Sequence, residues 1–127
     1  MRRLTAILCL TLALLLGSAG MSWSADLQKG YAAYKSGDYA TALREWNPLA
    51  EQGDAVAQKD LSVMYAYGKG VPKDYVYAHM WGNLADANGD GLGGMLRDDY
   101  ERKMTPADIS AAKKLAHECV RKKYKGC

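Results

Sequence analysis

The sequence predicts an all-α fold: a short α/α solenoid of about two helix-pair repeats, followed by C-terminal capping helices. Three observations carry this. Apolar residues recur at helical spacing from Leu27 onward, and no stretch alternates with the period of two that a strand requires. Aspartate and glycine punctuate the chain at regular intervals, as helix caps and stops. Finally, the chain matches itself at a shift of 36 residues: Tyr31 with Tyr67, Asp38 with Asp74, Tyr39 with Tyr75, Ala42 with Ala78, Asn47 with Asn83, Gly53 with Gly89 and Asp54 with Asp90. A fixed period of this length is the mark of a repeat architecture.

Residues 1–24 stand apart and read as a signal peptide. Arg2 and Arg3 precede an uncharged run from Leu4 to Leu16, which falls short of the roughly 20 residues that a membrane-spanning helix needs. Small residues follow, so cleavage is expected after Ser24, with Ala19 as the alternative. Cys9 lies inside the apolar run behind Ile7 and Leu8, unlike a lipoprotein cysteine. The chain is therefore expected to be secreted or periplasmic, with no transmembrane segment after cleavage.

Loss of Arg2 and Arg3 leaves 15 basic against 14 acidic residues, a net charge of +1. That balance offers no basis for nucleic-acid binding. The charge is uneven: the acidic excess lies before Arg97, and the tail "RKKYKGC" is basic. Lysine and arginine at a helix C-terminus complement the helix dipole, which is the ordinary reason for such a tail.

The first helix runs from about Asp26 to Ser36 and carries Leu27, Tyr31 and Tyr34. Asp38 then caps a second helix, in which Tyr39, Ala42, Leu43, Trp46, Leu49 and Ala50 share one face. Pro48 lies inside that helix, so a kink or a local start is expected there. Gly53 stops it, and Asp54 caps a third helix with Ala57, Leu61, Met64 and Tyr65 inward. The stretch "YGKGVPKDY" comes next. A phosphate-binding loop would need a longer glycine frame leading to Lys-Ser or Lys-Thr after a strand, whereas Lys69 precedes Gly70 and Val71. It reads as a turn: Gly68 ends one helix, Pro72 stiffens the crossing, and Asp74 caps the fourth helix, closed by Gly89.

The segments "ALREWNPLAEQGDAVAQ" and "LSVMYAYGKGVPKDYVYAHMWGNLADANGD" resemble the Sel-one-like repeat, a relative of the tetratricopeptide repeat. The loop of that family corresponds to Tyr65, Gly68, Gly70 and Val71; its second helix corresponds to Asp74, Ala78, Trp81, Leu84, Ala85 and Gly89. Two positions depart from the pattern: Ser62 stands for a glycine within the first helix of the unit, and Asp86 for an alanine late in the second. The resemblance divides the chain into a truncated repeat at 25–53, with Asp38, Ala42 and Gly53 as its markers, a full repeat at 54–89, and capping helices with a basic tail at 90–127. It implies a tetratricopeptide-like superhelix whose concave groove takes a protein or peptide partner in the cell envelope. Tyr34, Lys69, Tyr77 and His79 are the candidate partner-binding residues.

After Gly89, "DGLGGMLRDDYERKM" supplies the first helix of a third unit. Thr105 then caps a last helix, with Pro106 at its first position and Ile109, Ala112, Ala116 and Cys119 on one face. Exported members of the family often end in a similar "MTP" helix. A repeat stack ends in an exposed apolar face, and a helix with a charged outer side is the usual cover.

In an exported chain, Cys119 and Cys127 read first as a disulfide pair. On one continuous helix they would lie about 12 Å apart, too far to join. A bridge therefore requires the helix to end near Lys122 and the chain to turn back at Gly126.

The sequence shows no catalytic or metal-binding pattern, and no cofactor is expected. His79 and His117 are the only histidines available for acid–base chemistry near neutral pH, and His79 is expected at a surface or groove. His117, Cys119 and Cys127 lack the paired spacing of structural zinc ligands. Ser36, Ser62 and Ser110 have no neighbouring base, and Asp98 and Asp99 adjoin one another as on a solvated face. Two other functions stay open. Some disulfide-rich relatives of the repeat are linked to binding or hydrolysing β-lactams and cell-wall material, which would make this an envelope hydrolase or a peptidoglycan- or β-lactam-binding protein. The other is a structural subunit of an envelope complex, its groove filled by its own tail or a second copy.

Overall fold

Six side chains punctuate the described chain, each accepting a backbone N–H at the start of a helix. These are Asp26, Asp38, Asp54, Asp74, Asp90 and Thr105, and they open α1 (Leu27–Ser36), α2 (Tyr39–Glu51), α3 (Ala55–Tyr67), α4 (Tyr75–Ala87), α5 (Gly91–Glu101) and α6 (Pro106–Arg121). The computed structural model describes residues 25–127; the signal-peptide reading of 1–24 lies outside them. Among the described residues the fold is all-α, without strands, and no helix is long and apolar enough to cross a membrane.

Successive helices pack in order, α1 on α2, α2 on α3, α3 on α4 and α4 on α5. Small residues set how close they come. A Cβ added at Gly30 would lie 2.3 Å from Trp46 Nε1, so α1 seats its glycine face directly on the indole. Of the residues on α1, Gly30 and Ala33 are buried, Leu27 and Tyr34 half-buried, and Tyr31 is 53% exposed. Between α4 and α5, a Cβ on Gly93 would come 2.5 Å from Ala85 Cβ, and one on Gly94 would come 2.6 Å from the Asp86 carboxyl carbon. Gly93 and Gly94, unlike Gly91, thus form a contact surface. Ser62 allows α3 and α4 to pack closely, because its buried hydroxyl donates to the Ala78 carbonyl at 2.6 Å. The helix-to-helix fit there is completed from the facing side by Gly82, where a Cβ would meet Ser62 Oγ at 3.1 Å.

The core runs through Trp46, Leu61, Met64, Met80, Trp81 and Leu84, all nearly or fully buried. Pro48 sits within α2 without ending it. It occupies the exposed side, as does Arg44, so the carbonyl that loses its N–H partner faces water. The α3–α4 connection is a turn, as expected: Lys69 N–H reaches the Met64 carbonyl at 2.9 Å and Asp74 N–H the Tyr65 carbonyl at 2.9 Å. Gly70, with φ of 72°, lies so near α2 that a Cβ would be 2.8 Å from Tyr39 Cβ.

At the C-terminus α6 departs from a simple third pair. It packs on α4 rather than on its predecessor α5, burying Ala112, Ala116 and Cys119. The helix ends at Arg121, the backbone turns through positive φ at Lys123, Tyr124 and Gly126, and Cys127 returns to bond Cys119. The Cα atoms of the two cysteines are 5.7 Å apart.

Candidate binding surface

The four residues singled out in the sequence do not share one groove. His79 is fully buried in α4, not at a surface, and its Nε2 lies 2.8 Å from Glu101 Oε1 of α5. It is the first rung of a polar seam along α4 and α5, followed by Asn83 Oδ1 accepting from Arg97 Nη1 at 2.7 Å and Asp86 Oδ2 accepting from the same nitrogen at 3.0 Å. Spacings of three and four residues align these rungs on one helix face. Position 79 had looked like groove polarity because the sequence does not show that α5 brings a carboxylate against it.

Tyr77 stacks on Tyr65, ring centroids 5.3 Å apart and planes 22° from parallel. Burial raises the Tyr65 phenol above its ordinary pKa, with Tyr77 and Asp74 adding to the effect. Tyr77 also meets the chain's own C-terminal segment: with Met80, Leu115, Glu118, Lys122 and the disulfide it lines a cavity of about 120 Å³. Tyr77 is therefore partly roofed by α6 and the loop that follows.

Tyr34 and Lys69 belong together, through Tyr39. The Tyr34 and Tyr39 rings lie 5.6 Å apart, and Lys69 Nζ sits 5.6 Å from the centre of the Tyr39 ring. Tyr34 also faces Trp46, at 5.9 Å between centroids. Here α1, α2 and α3 meet in a recess of about 60 Å³ lined by Tyr31, Tyr34, Trp46, Asp60 and Val63. Three aromatic rings and one carboxylate thus face a common space.

Two members of this recess escape a sequence reading. Tyr31 stands out in the sequence only as a residue of the first helix and of the 36-residue match, and Asp60 belongs to no motif. Burial raises the Asp60 carboxyl above its ordinary pKa, the neighbouring Lys59 opposing this and Asp90 and Asp54 adding to it. Lys59 Nζ approaches Asp60 Oδ1 at 3.3 Å. Glu45 is a further unforeseen residue: almost buried on α2, it accepts from Asp26 N–H at 2.9 Å and pairs with Lys29 at 3.3 Å, holding the start of α1.

The remaining titratable candidates are separate. His117 is exposed on α6, Asp98 pairs with Arg97, and Asp99 lies near Arg102 and Lys103. Among the described residues no three His, Cys, Asp or Glu side chains are grouped to hold a metal ion. No protein-family model, curated protein or solved structure matches the chain.

Proposed function

We propose that this chain is an exported adaptor of the Sel-one-like type, which binds a protein or peptide partner and does no chemistry on it. The observation that carries this reading is the continuous aromatic surface at the N-terminal end of the stack, from Tyr31 through Tyr34 and Tyr39 to Lys69. Aromatic side chains offer large contact area at small entropic cost, which is why they anchor interfaces. Helical repeats present such surfaces as extended platforms. The disulfide supports export, since such bonds persist in oxidising compartments.

The seating of the C-terminal loop against Tyr77 favours one modification of the groove reading. The C-terminal half of the surface is occupied by the chain itself, so the partner is received at α1, α2 and the α3–α4 turn.

A crosslinked capture from envelope extract tests the function. The purified, oxidised chain serves as bait beside a control carrying Tyr31→Ala and Lys69→Glu. A partner held by the first bait and lost from the second supports an adaptor with this surface. Equal recovery on both baits rejects the surface, and recovery on neither rejects the adaptor.

A further inference from the structure

We propose that the recess between α1, α2 and α3 receives a lysine side chain of the bound partner, its ammonium group entering between Tyr31, Tyr34 and Trp46 to pair with Asp60. This rests on the adaptor reading and specifies what the adaptor recognises.

The chemistry of the lining selects the ligand. Aromatic faces carry negative potential and attract cations, and aromatic rings grouped around a common space are a recurrent receptor for ammonium groups. Here the Tyr34 and Trp46 rings stand 5.9 Å apart at an angle of 36°, while Tyr31 stands half-exposed at the mouth. The recess has room for an ammonium group and its adjoining methylenes, at about 60 Å³. Val63 supplies an apolar wall for those methylenes. A neutral apolar ligand would leave the Asp60 carboxylate further desolvated without compensation, which disfavours it.

Asp60 contributes the fixed charge. Its side chain is only 18% exposed, and Lys59 meets it through Oδ1. An arriving ammonium pairs through a single oxygen, whereas the guanidinium fork of arginine is suited to both oxygens of a carboxylate, one of which Lys59 engages. The chain's own cations already touch the lining: Lys35 Nζ lies 5.5 Å from the centre of the Tyr31 ring, and Lys59 Nζ lies 3.3 Å from Asp60 Oδ1. A partner lysine competes with both.

The test is a nuclear magnetic resonance titration of the purified, oxidised chain with Nα-acetyl-lysine methylamide, through the millimolar range. Nα-acetyl-norleucine methylamide, which keeps the methylenes and lacks the charge, is the control. The expected result is saturable movement of the Trp46 indole N–H and Val63 signals with the lysine probe alone. Asp60→Asn lowers the affinity at least about tenfold, the scale for losing one partner of a charge pair. Lys59→Met raises it by removing the competitor. Spectra of both variants that match the parent away from the recess show that the fold is kept. Equal shifts with norleucine, no saturable shift, or an Asp60→Asn variant that binds lysine unchanged would each overturn the assignment. A recess blind to lysine on a chain that still loses its partner through Tyr31→Ala and Lys69→Glu leaves the adaptor standing and removes only the lysine. A lysine-responsive recess with no captured partner does the opposite.

Discussion

The Tyr124 hydroxyl donates to Asn88 Oδ1 at 3.1 Å, joining residues 36 positions apart. Asn88 Nδ2 in turn donates to Gln58 Oε1 at 2.9 Å, and Gln58 Nε2 to the Ala50 carbonyl at 3.1 Å. The Tyr124 ring also covers Gly53, where a Cβ would meet it at 3.2 Å. One side chain of the disulfide loop thus closes a relay through the ends of α2 and α4 and the start of α3.

Opening the disulfide should therefore lower stability by about 2–3 kcal/mol, the range for a small closed loop. Urea unfolding with and without reductant, and of Cys127→Ser, measures it. Tyr124→Phe retains the ring and loses only the bond to Asn88, so its cost should stay near the low end, roughly 0.5 kcal/mol. A Tyr124→Phe cost as large as that of reduction would show that the hydroxyl, not the bridge, secures the loop.

Gly93→Ala should destabilise although alanine is the better helix former. The gain of about 1 kcal/mol in propensity is outweighed by overpacking against Ala85, typically 1–3 kcal/mol. Gly91→Ala, at a position where a Cβ meets nothing within 4 Å, is the matched control and should be neutral or stabilising. Thermal unfolding of the two variants decides the matter; equal melting temperatures would mean that the α4–α5 contact yields to the added methyl without net cost.

Glu101→Ala should cost about 1–3 kcal/mol, because it strips the Nε2 partner from a fully buried imidazole whose Nδ1 already has none among the described residues. His79→Leu with Glu101→Ala, which removes both halves, should recover part of that loss. A double-mutant cycle read by chemical denaturation gives the coupling.

Asp60→Asn should stabilise the protein in a pH-dependent way. Burial raises the folded-state pKa of Asp60 above its unfolded value, so the folded chain holds the proton more tightly. Stability associated with this group is then fully present below the unfolded pKa and is lost as pH rises through the folded pKa. The variant's advantage should grow across that interval above the ordinary aspartate range, be largest near neutrality and shrink in acid. Melting curves at stepped pH check the sign.

Much of the fold was legible because its signals are local. Asp38, Asp54 and Asp74 cap their helices by bonding backbone two or three residues ahead, so sequence alone suffices to place them. The disulfide was legible as a pair and a condition, an end near Lys122 and a return at Gly126. What sequence could not supply depends on helix-to-helix arrangement. His79 looks exposed until α5 places Glu101 beside it, and the close seating of α1 on α2 shows only when Gly30 meets Trp46. Asp60 carries no motif; its significance arises only when the fold brings it to the same recess as Tyr31, Tyr34 and Trp46 of α1 and α2.

The packing of α6 on α4 changes how the chain should come apart. In an open stack each layer rests only on its neighbours, and layers can melt singly from either end. Here Tyr124 returns from the last layer to Gly53 and Asn88, at boundaries belonging to the first two. The C-terminal segment thus binds early and late layers into one cooperative unit. Shortening the chain from its C-terminus would not subtract the last helix alone; it would also loosen the ends of α2 and α4 that Tyr124 joins.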